Sequence, residues 1–226
     1  MAPSSAASPP RRGCGLLQLG SAPYDEVWAL QKGLASDLAA RDAEDALIVV
    51  EHPPVFTLGR GSKVEHLKFD EAAPPYPLLR VERGGQVTFH GPGQLVAYPI
   101  LDLHHHKQDL RWYVGRVEEV LVRTLGEFGI AAGRKDDLTG VWVGDVKVGF
   151  VGISCSRWIT MHGISLNVCP DMAPFGMINP CGILAEDYSM GSMADYVPGV
   201  AVADVEPVLV RHFREVFDVD LRDLNV

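Results

Sequence analysis

The segment Val141-Trp142-Val143-Gly144-Asp145-Val146-Lys147-Val148-Gly149-Phe150-Val151-Gly152-Ile153 sets two β-rich runs on either side of a two-residue turn. Gly144-Asp145 is a pair of the kind that closes a β-hairpin, so the runs it joins are antiparallel strands. Lys147 is the odd residue of the second strand. It either points to solvent from a sheet edge or is desolvated, and desolvation is how a lysine becomes a usable base. Period-2 alternation puts Lys147 on one face with Gly149 and Val151, and Val146, Val148 and Phe150 on the other. The face of Lys147 is then a small-residue surface able to admit a ligand.

Outward from this hairpin, Met161 to Val168, Leu95 to Ile100, Val87 to Phe89, Leu78 to Arg83, Val55 to Leu58, Ala46 to Val50 and Leu16 to Leu19 read as further strands. Gly84-Gly85 and Gly91-Pro92-Gly93 separate three of them. Helices are expected over Tyr24 to Arg41, Leu110 to Phe128 and Val205 to Phe217. Their apolar positions keep helical spacing: Val27, Leu30, Leu34 and Leu38 in the first, Val114, Val117, Leu121 and Leu125 in the second, Val205, Leu209, Phe213 and Val216 in the third. Gly59 to Pro77 and Pro170 to Ser192 read as long loops, a feature that compact domains tend to keep for function. The fold class is α/β (α+β): a mixed, largely antiparallel sheet with flanking helices, because hairpins outnumber βαβ signals.

The 226 residues, 47% apolar and 22% charged, suit one globular domain over 16–226, and no apolar run of membrane-spanning length occurs. A formal charge of −9 argues against nucleic-acid binding, which needs a net basic face. Four unevenly spaced cysteines, Cys14, Cys155, Cys169 and Cys181, suit free thiols in a reducing compartment rather than a disulfide framework. Residues 1–15 read as a disordered tail. Its Ala, Ser, Pro and Arg content, without an acid, is equally compatible with a transit-peptide remnant.

Three groups of residues have chemistry to offer. The stretch Arg83-Gly84-Gly85-Gln86-Val87-Thr88-Phe89-His90-Gly91-Pro92-Gly93-Gln94 is glycine-dense, which allows close backbone approach to a ligand, or simply two tight turns. In Asn179-Pro180-Cys181-Gly182-Ile183 a cysteine sits in a loop between a residue of fixed φ and a permissive one. Such a thiol can be exposed and aimed, although an isolated cysteine is more often a small buried hydrophobe. His104-His105-His106 looks metal-like, but adjacent side chains diverge and no second ligand pair stands at metal spacing. His90 and His162 read as structural histidines beside the candidate site.

Taken together and in order, several stretches resemble the lipoyl(octanoyl) transferase family. These are Arg83 to His90, Gly140 to Val143, Lys147 to Gly152, Ser156 to Asn167 with its His162-Gly163-Ile164-Ser165, and Pro180-Cys181-Gly182-Ile183. The lysine-to-cysteine interval of 34 positions matches that family too. The resemblance implies a lipoate/biotin protein ligase-like, class II synthetase-like catalytic domain. It further implies transfer of an octanoyl group from octanoyl-acyl carrier protein to a lysine of a lipoyl domain, in 2-oxoacid dehydrogenase E2 subunits or glycine cleavage H protein. Cys181 takes the place of the thioester-forming catalytic cysteine, and Lys147 that of the lysine that lowers its pKa. Arg83, Gly84, Gly85, Gln86, Val87, Thr88, Phe89 and His90, then Phe150, Val151 and Gly152, then Gly163, Ile164 and Ser165, fall on substrate-binding stretches. Phe89, Phe150 and Val151 are expected to line an acyl tunnel. The same resemblance implies no cofactor, ATP or metal; a soluble monomer is expected, and the transit-like tail points to mitochondrion or plastid, with cytoplasm the alternative. Gly149, Ser154 and Asn179 depart from the family's pattern, which bears on tunnel shape and carrier docking. The rival readings are an ATP-dependent lipoate ligase on the same fold, a non-catalytic carrier-protein binding module, and a cysteine hydrolase with His90 or His162 as base.

Overall fold

The computed structural model describes residues 11–41, 43–179 and 188–224. Strand β1 (Arg12–Ser21) leads through helix α1 (Tyr24–Ala40) to β2 (Asp45–Glu51). Strands β3 (Val55–Leu58), β4 (Leu78–Arg80), β5 (Val87–His90) and β6 (Gln94–Ile100) precede helix α2 (Leu110–Glu127). Then come β7 (Gly133–Lys135), β8 (Leu138–Val143), β9 (Val146–Ser156), β10 (Ile159–Asn167), β11 (Ser189–Met190), helix α3 (Val202–Phe217) and β12 (Val219–Asp223).

The main sheet runs β12-β1-β2-β6-β10-β9-β8-β7, with β11 beside the start of β9, and β4-β3-β5 form a second, small sheet. From β2 to β7 every neighbouring pair is antiparallel, while β1 pairs in parallel with both β2 and β12. The expected mixed, largely antiparallel sheet is therefore present, with one βαβ crossover, β1-α1-β2, at its edge.

Both faces of the central strands are covered, which is why they read as continuous apolar runs. On β2, Leu47 and Val49 face a core shared with α2 and α3, while Ala46, Ile48 and Val50 face α1. On β6, Leu95 and Ala97 take the first face and Val96 and Tyr98 the second. Helix α3 buries Val205, Leu209, Phe213 and Val216, as its spacing predicts. Helix α2 buries Val117, Leu121 and Leu125 as predicted, together with Tyr113 and Val120, and its N-cap Asp109 accepts from Arg111 N and Trp112 N at 3.0 and 3.1 Å. Among the described residues no helix is long and apolar enough to cross a membrane.

Several elements differ from the sequence reading. Arg12 to Gly15, assigned above to the tail, belong to β1, where Arg12 Nε bonds the buried Asp45 carboxylate at 2.9 Å and Cys14 is fully buried. The strand expected over Leu78 to Arg83 stops at Arg80, and Arg83 turns inward to bond Thr57. Strands β7, β11 and β12 were not anticipated. They are short, and β12 owes its conformation to a partner, β1, some 200 residues away in sequence.

Gly93, at φ 85°, closes the turn between β5 and β6, and its carbonyl accepts from Val168 N and Cys169 N at 3.1 and 2.9 Å. An ideal Cβ there falls 2.5 Å from the Cys169 carbonyl oxygen. Gly93→Ala should therefore lower unfolding free energy by about 2 kcal/mol or more, read as a shifted denaturant midpoint at unchanged slope. An unchanged midpoint would show that the turn does not constrain the fold.

Candidate active site

The hairpin Gly144-Asp145 joins β8 to β9, with Gly144 at φ 57°. Val143 pairs with Val146 and Trp142 with Lys147, but Val141 pairs with Gly149, so β9 carries one extra residue. This β-bulge overturns the simple alternation expected above. Val148 and Gly149 both turn to the α2 side, where Val148 is in the core and an ideal Cβ on Gly149 would lie 2.9 Å from Leu121 Cδ1. Lys147 shares its side with Phe150 instead, its Nζ standing 5.3 Å from the Phe150 ring centre. The unusual Gly149 thus touches helix packing and not the cleft.

Lys147 is buried, 6% exposed, and Nζ donates to Thr139 O at 2.8 Å with the Trp142 ring centre 5.2 Å away. Room for it comes from Gly140, at φ 127°, where an ideal Cβ would lie 2.5 Å from Lys147 Cε and 2.7 Å from Gly149 O. Glu118 of α2 fixes Gly140 by accepting its N–H at 2.8 Å.

Lys147 opens onto a cleft between β5, β6, β9 and β10. Its lining includes Arg83, Gly85, Gln86, Val87, Thr88 and His90 from the glycine-dense stretch. Phe150, Val151 and Gly152, then Gly163, Ile164 and Ser165, complete the residues expected there. Two expected residues lie elsewhere. Gly84 borders an adjoining depression and bonds Ile153 O through its N–H at 2.8 Å. Phe89 points away from the cleft into an aromatic cluster, 5.3 Å from Phe56 and 5.4 Å from Phe175, because its strand presents alternate residues to opposite sides.

Arg83 is held by Thr57, donating from Nη2 to Thr57 O and Oγ1 at 2.7 and 2.8 Å, and from Nη1 to Gly84 O at 3.0 Å. Gly152 leaves space for it, since an ideal Cβ would come within 3.1 Å of Arg83 Cδ. The buried oxygens Thr88 Oγ1 and Gln86 Oε1 have no hydrogen-bond partner among the described residues, which leaves them available to a ligand.

The cleft floor contains Tyr24, Val96 and Tyr98, which the sequence did not assign to the site, together with His162, which it placed beside the site as a structural histidine. For Tyr24, Val96 and Tyr98 the one available signal was a tyrosine, Tyr98, inside an otherwise apolar strand. Burial pushes His52 down to about 4 and His90 to about 3, so both rings are neutral. His52 therefore donates from Nδ1 to Ala22 O and accepts the Tyr98 hydroxyl at Nε2, both at 2.8 Å. His90 Nδ1 donates to Gln94 Oε1 at 2.6 Å, since the Gln94 amide nitrogen donates to Asn167 Oδ1 at 2.9 Å. Asn167 Nδ2 in turn donates to Gly191 O at 3.0 Å, and Gly191 N to Lys147 O at 3.0 Å. A chain of satisfied polar groups thus runs from the cleft to the backbone of the lysine.

Cys181 lies outside the described residues, as do Pro180, Gly182 and Ile183. The chain on either side is anchored at this site. Asn179 N donates to His66 O at 2.7 Å, Ile178 packs in the cluster that contains Phe150, and Ser189 and Met190 pair with Val146 and Lys147. Of the described thiols, burial pushes Cys14 far above the ordinary range and raises Cys155 and Cys169 as well. Ser154 borders a different surface depression with Lys32 and Glu82. His104 Nδ1 stands 2.6 Å and His105 Nε2 3.5 Å from Asp102, and His106 bonds Asp45 at 2.8 Å.

The chain that folds into this sheet and cleft is a catalytic domain of the lipoyl protein ligase A/B class. The sequence model of that catalytic domain matches residues 23–214. The chain belongs to the octanoyltransferase family: it is 48% identical to an octanoyltransferase of Nostoc sp. over 95% of this chain and 97% of the relative. It is also 41% identical to a chloroplastic octanoyltransferase of Arabidopsis thaliana over 90% of this chain and 78% of that one. Solved structures share the fold at 19% identity. Lipoate-protein ligase A bound with ATP gives a TM-score of 0.74, covering 95% of this chain and 89% of that chain. A bipartite lipoate protein ligase of Thermoplasma acidophilum, studied with its E2 lipoyl domain, gives 0.69, covering 96% and 88%.

Two outcomes are expected. Unfolding protonates the buried neutral histidines, whose folded pKa of about 4 for His52 and about 3 for His90 lies below the ordinary 6.5. The unfolded chain then binds more protons below pH 6.5, so stability is unaffected above that pH and falls as pH drops from 6.5 toward 4, by up to about 2 kcal/mol per histidine at pH 5. Equilibrium unfolding that is flat between pH 7 and 5 would contradict this. Gly140→Ala must displace Lys147 and should cut acyl-transfer kcat at least about tenfold with little change in KM.

Proposed function

We propose that this acyltransferase moves an octanoyl group from octanoyl-acyl carrier protein to a lysine ε-amine of a lipoyl domain by way of a thioester on Cys181, with Lys147 as the proton carrier. The observation that carries the reading is Lys147, a buried amine at the head of an apolar cleft, with the chain on both sides of residues 180–187 fastened to its strand and to Phe150's cluster. The donor's acyl chain lies along Phe150, Val151 and Ile164, where burial of each methylene contributes roughly 0.8 kcal/mol.

The steps balance as follows. Lys147 takes the thiol proton of Cys181, and the thiolate attacks the donor thioester carbonyl. Backbone N–H groups of the glycine-bearing stretches stabilise the tetrahedral oxyanion, each such donor being worth about 3 kcal/mol in studied enzymes. Collapse breaks the bond to the carrier's sulfur, which leaves as a thiolate and takes the proton back from Lys147. The acceptor amine then attacks acyl-Cys181, Lys147 receives the amine proton, and the amide forms as Cys181 departs as thiolate and is reprotonated from Lys147. The acceptors proposed are the lipoyl domains of 2-oxoacid dehydrogenase E2 subunits and glycine cleavage H protein, and the chloroplastic relative favours the plastid as compartment.

The test is octanoyl transfer to a lipoyl domain in an ATP-free mixture. Cys181→Ala should abolish turnover, and Lys147→Ala should lower kcat by about 10²–10⁴-fold. Full activity of Cys181→Ala restored by ATP would establish the ligase reading instead. Free octanoate released faster than amide forms would establish a hydrolase, and no turnover in any chain a binding module.

A further inference from the structure

Strand β10 departs from regular geometry at His162, whose φ is 56°, in the left-handed region that residues with a Cβ avoid. The cause is the neighbouring strand. Pro99 has no N–H to give, and an ideal Cβ on Gly163 would lie 2.7 Å from Pro99 Cδ, so the ladder of β10 on β6 breaks off at Ile164 against Ala97 and resumes in the same register only beyond His162, where Thr160 N donates to Leu101 O at 3.0 Å. His162 N–H is diverted to the fully buried Gln31 of α1, donating to Oε1 at 2.8 Å.

The diversion sends the imidazole into the cleft wall, 1% exposed, with Tyr24 Oη 3.4 Å from Nδ1 and the Tyr98 ring edge-on at 6.4 Å. Nε2 has no hydrogen-bond partner among the described residues, the Glu82 carboxylate standing 3.7 Å away. Burial pushes His162 down to about 4, so the ring presents no charge at neutral pH. A strained backbone and a buried ring nitrogen without a hydrogen bond are both costly, and packing alone would be served by an apolar side chain.

Position along the strands gives the ring a task. Lys147 Nζ reaches Thr139 O, two residues beyond the Val141–Gly149 pair and so level with Val151. His162 pairs with Ile153, two residues further, about 7 Å along the strand. The seven C–C bonds of an extended octanoyl chain span roughly 9 Å. An acyl group whose thioester sits at Lys147 therefore brings its methyl end to the imidazole.

We infer that His162 is the acyl-length stop of this enzyme: its imidazole closes the far end of the cleft, and the left-handed turn holds it there against chains longer than eight carbons. This inference rests on the acyl-transfer reading of the cleft. Its test compares octanoyl-, decanoyl- and dodecanoyl-acyl carrier protein as donors for the unaltered chain, His162→Gly and His162→Asn. Glycine and asparagine both tolerate the left-handed turn, so the ring shrinks while the backbone stays. The decanoyl-to-octanoyl ratio of kcat/KM should rise about tenfold in His162→Gly and by less in His162→Asn. A role in folding alone would lower all three donors together. Ratios within twofold of the unaltered chain in both variants, with octanoyl transfer retained, would overturn the stop, whereas failure of the unaltered chain to transfer octanoyl would overturn the reading of the cleft itself.

Discussion

A buried amine is expensive to keep out of water unless its N–H groups find acceptors, and the architecture around Lys147 is arranged to hold one. The bulge in β9 turns the side chain away from the helix-covered face, Gly140 vacates the volume it needs, and Thr139 supplies a carbonyl acceptor. Each of these depends on another layer. Glu118 of α2 holds Gly140, and Leu121 of the same helix packs where Gly149 has no side chain. Helix α2 is therefore both a core element and the support of the site, and the fully covered central sheet keeps its position fixed.

The cleft obeys the same economy of polar groups. Its floor contains histidines and tyrosines, yet the bonded pairs His52–Tyr98 and His90–Gln94 place neutral donors against acceptors, so no charge faces an acyl chain there. The Gln94–Asn167–Gly191 chain carries that order to the backbone of Lys147. Satisfied buried networks of this kind fix a single arrangement, because any rearrangement leaves a donor or acceptor without a partner. Arg83, clamped by Thr57 and given room by Gly152, adds a fixed cation to the wall.

The parts of this account that were legible in the sequence are those governed by local signals. Gly144-Asp145 announced its hairpin, the spacing of Val205, Leu209, Phe213 and Val216 announced a helix face, and the glycine density of Arg83 to His90 left open the cleft wall that most of this stretch forms. What escaped depends on partners distant in the chain. A bulge is one residue of register between β8 and β9, and alternation therefore placed Lys147 on the face of Gly149 instead of that of Phe150. The β1–β12 ladder needs pairing across the whole chain, and Tyr24 reaches the cleft floor only because α1 packs across β6 and β10. Phe89 was misplaced for a simpler reason: within a binding stretch on a strand, alternate residues face away.

Cys181 is the residue proposed to carry the acyl group. Intact-protein mass measurement after incubation with octanoyl-acyl carrier protein, followed by peptide mapping, addresses it directly. The account predicts a gain of one octanoyl group, labile to hydroxylamine and confined to the peptide containing Cys181. A gain mapped to Cys14, Cys155 or Cys169, or no gain while the donor is consumed, would contradict it.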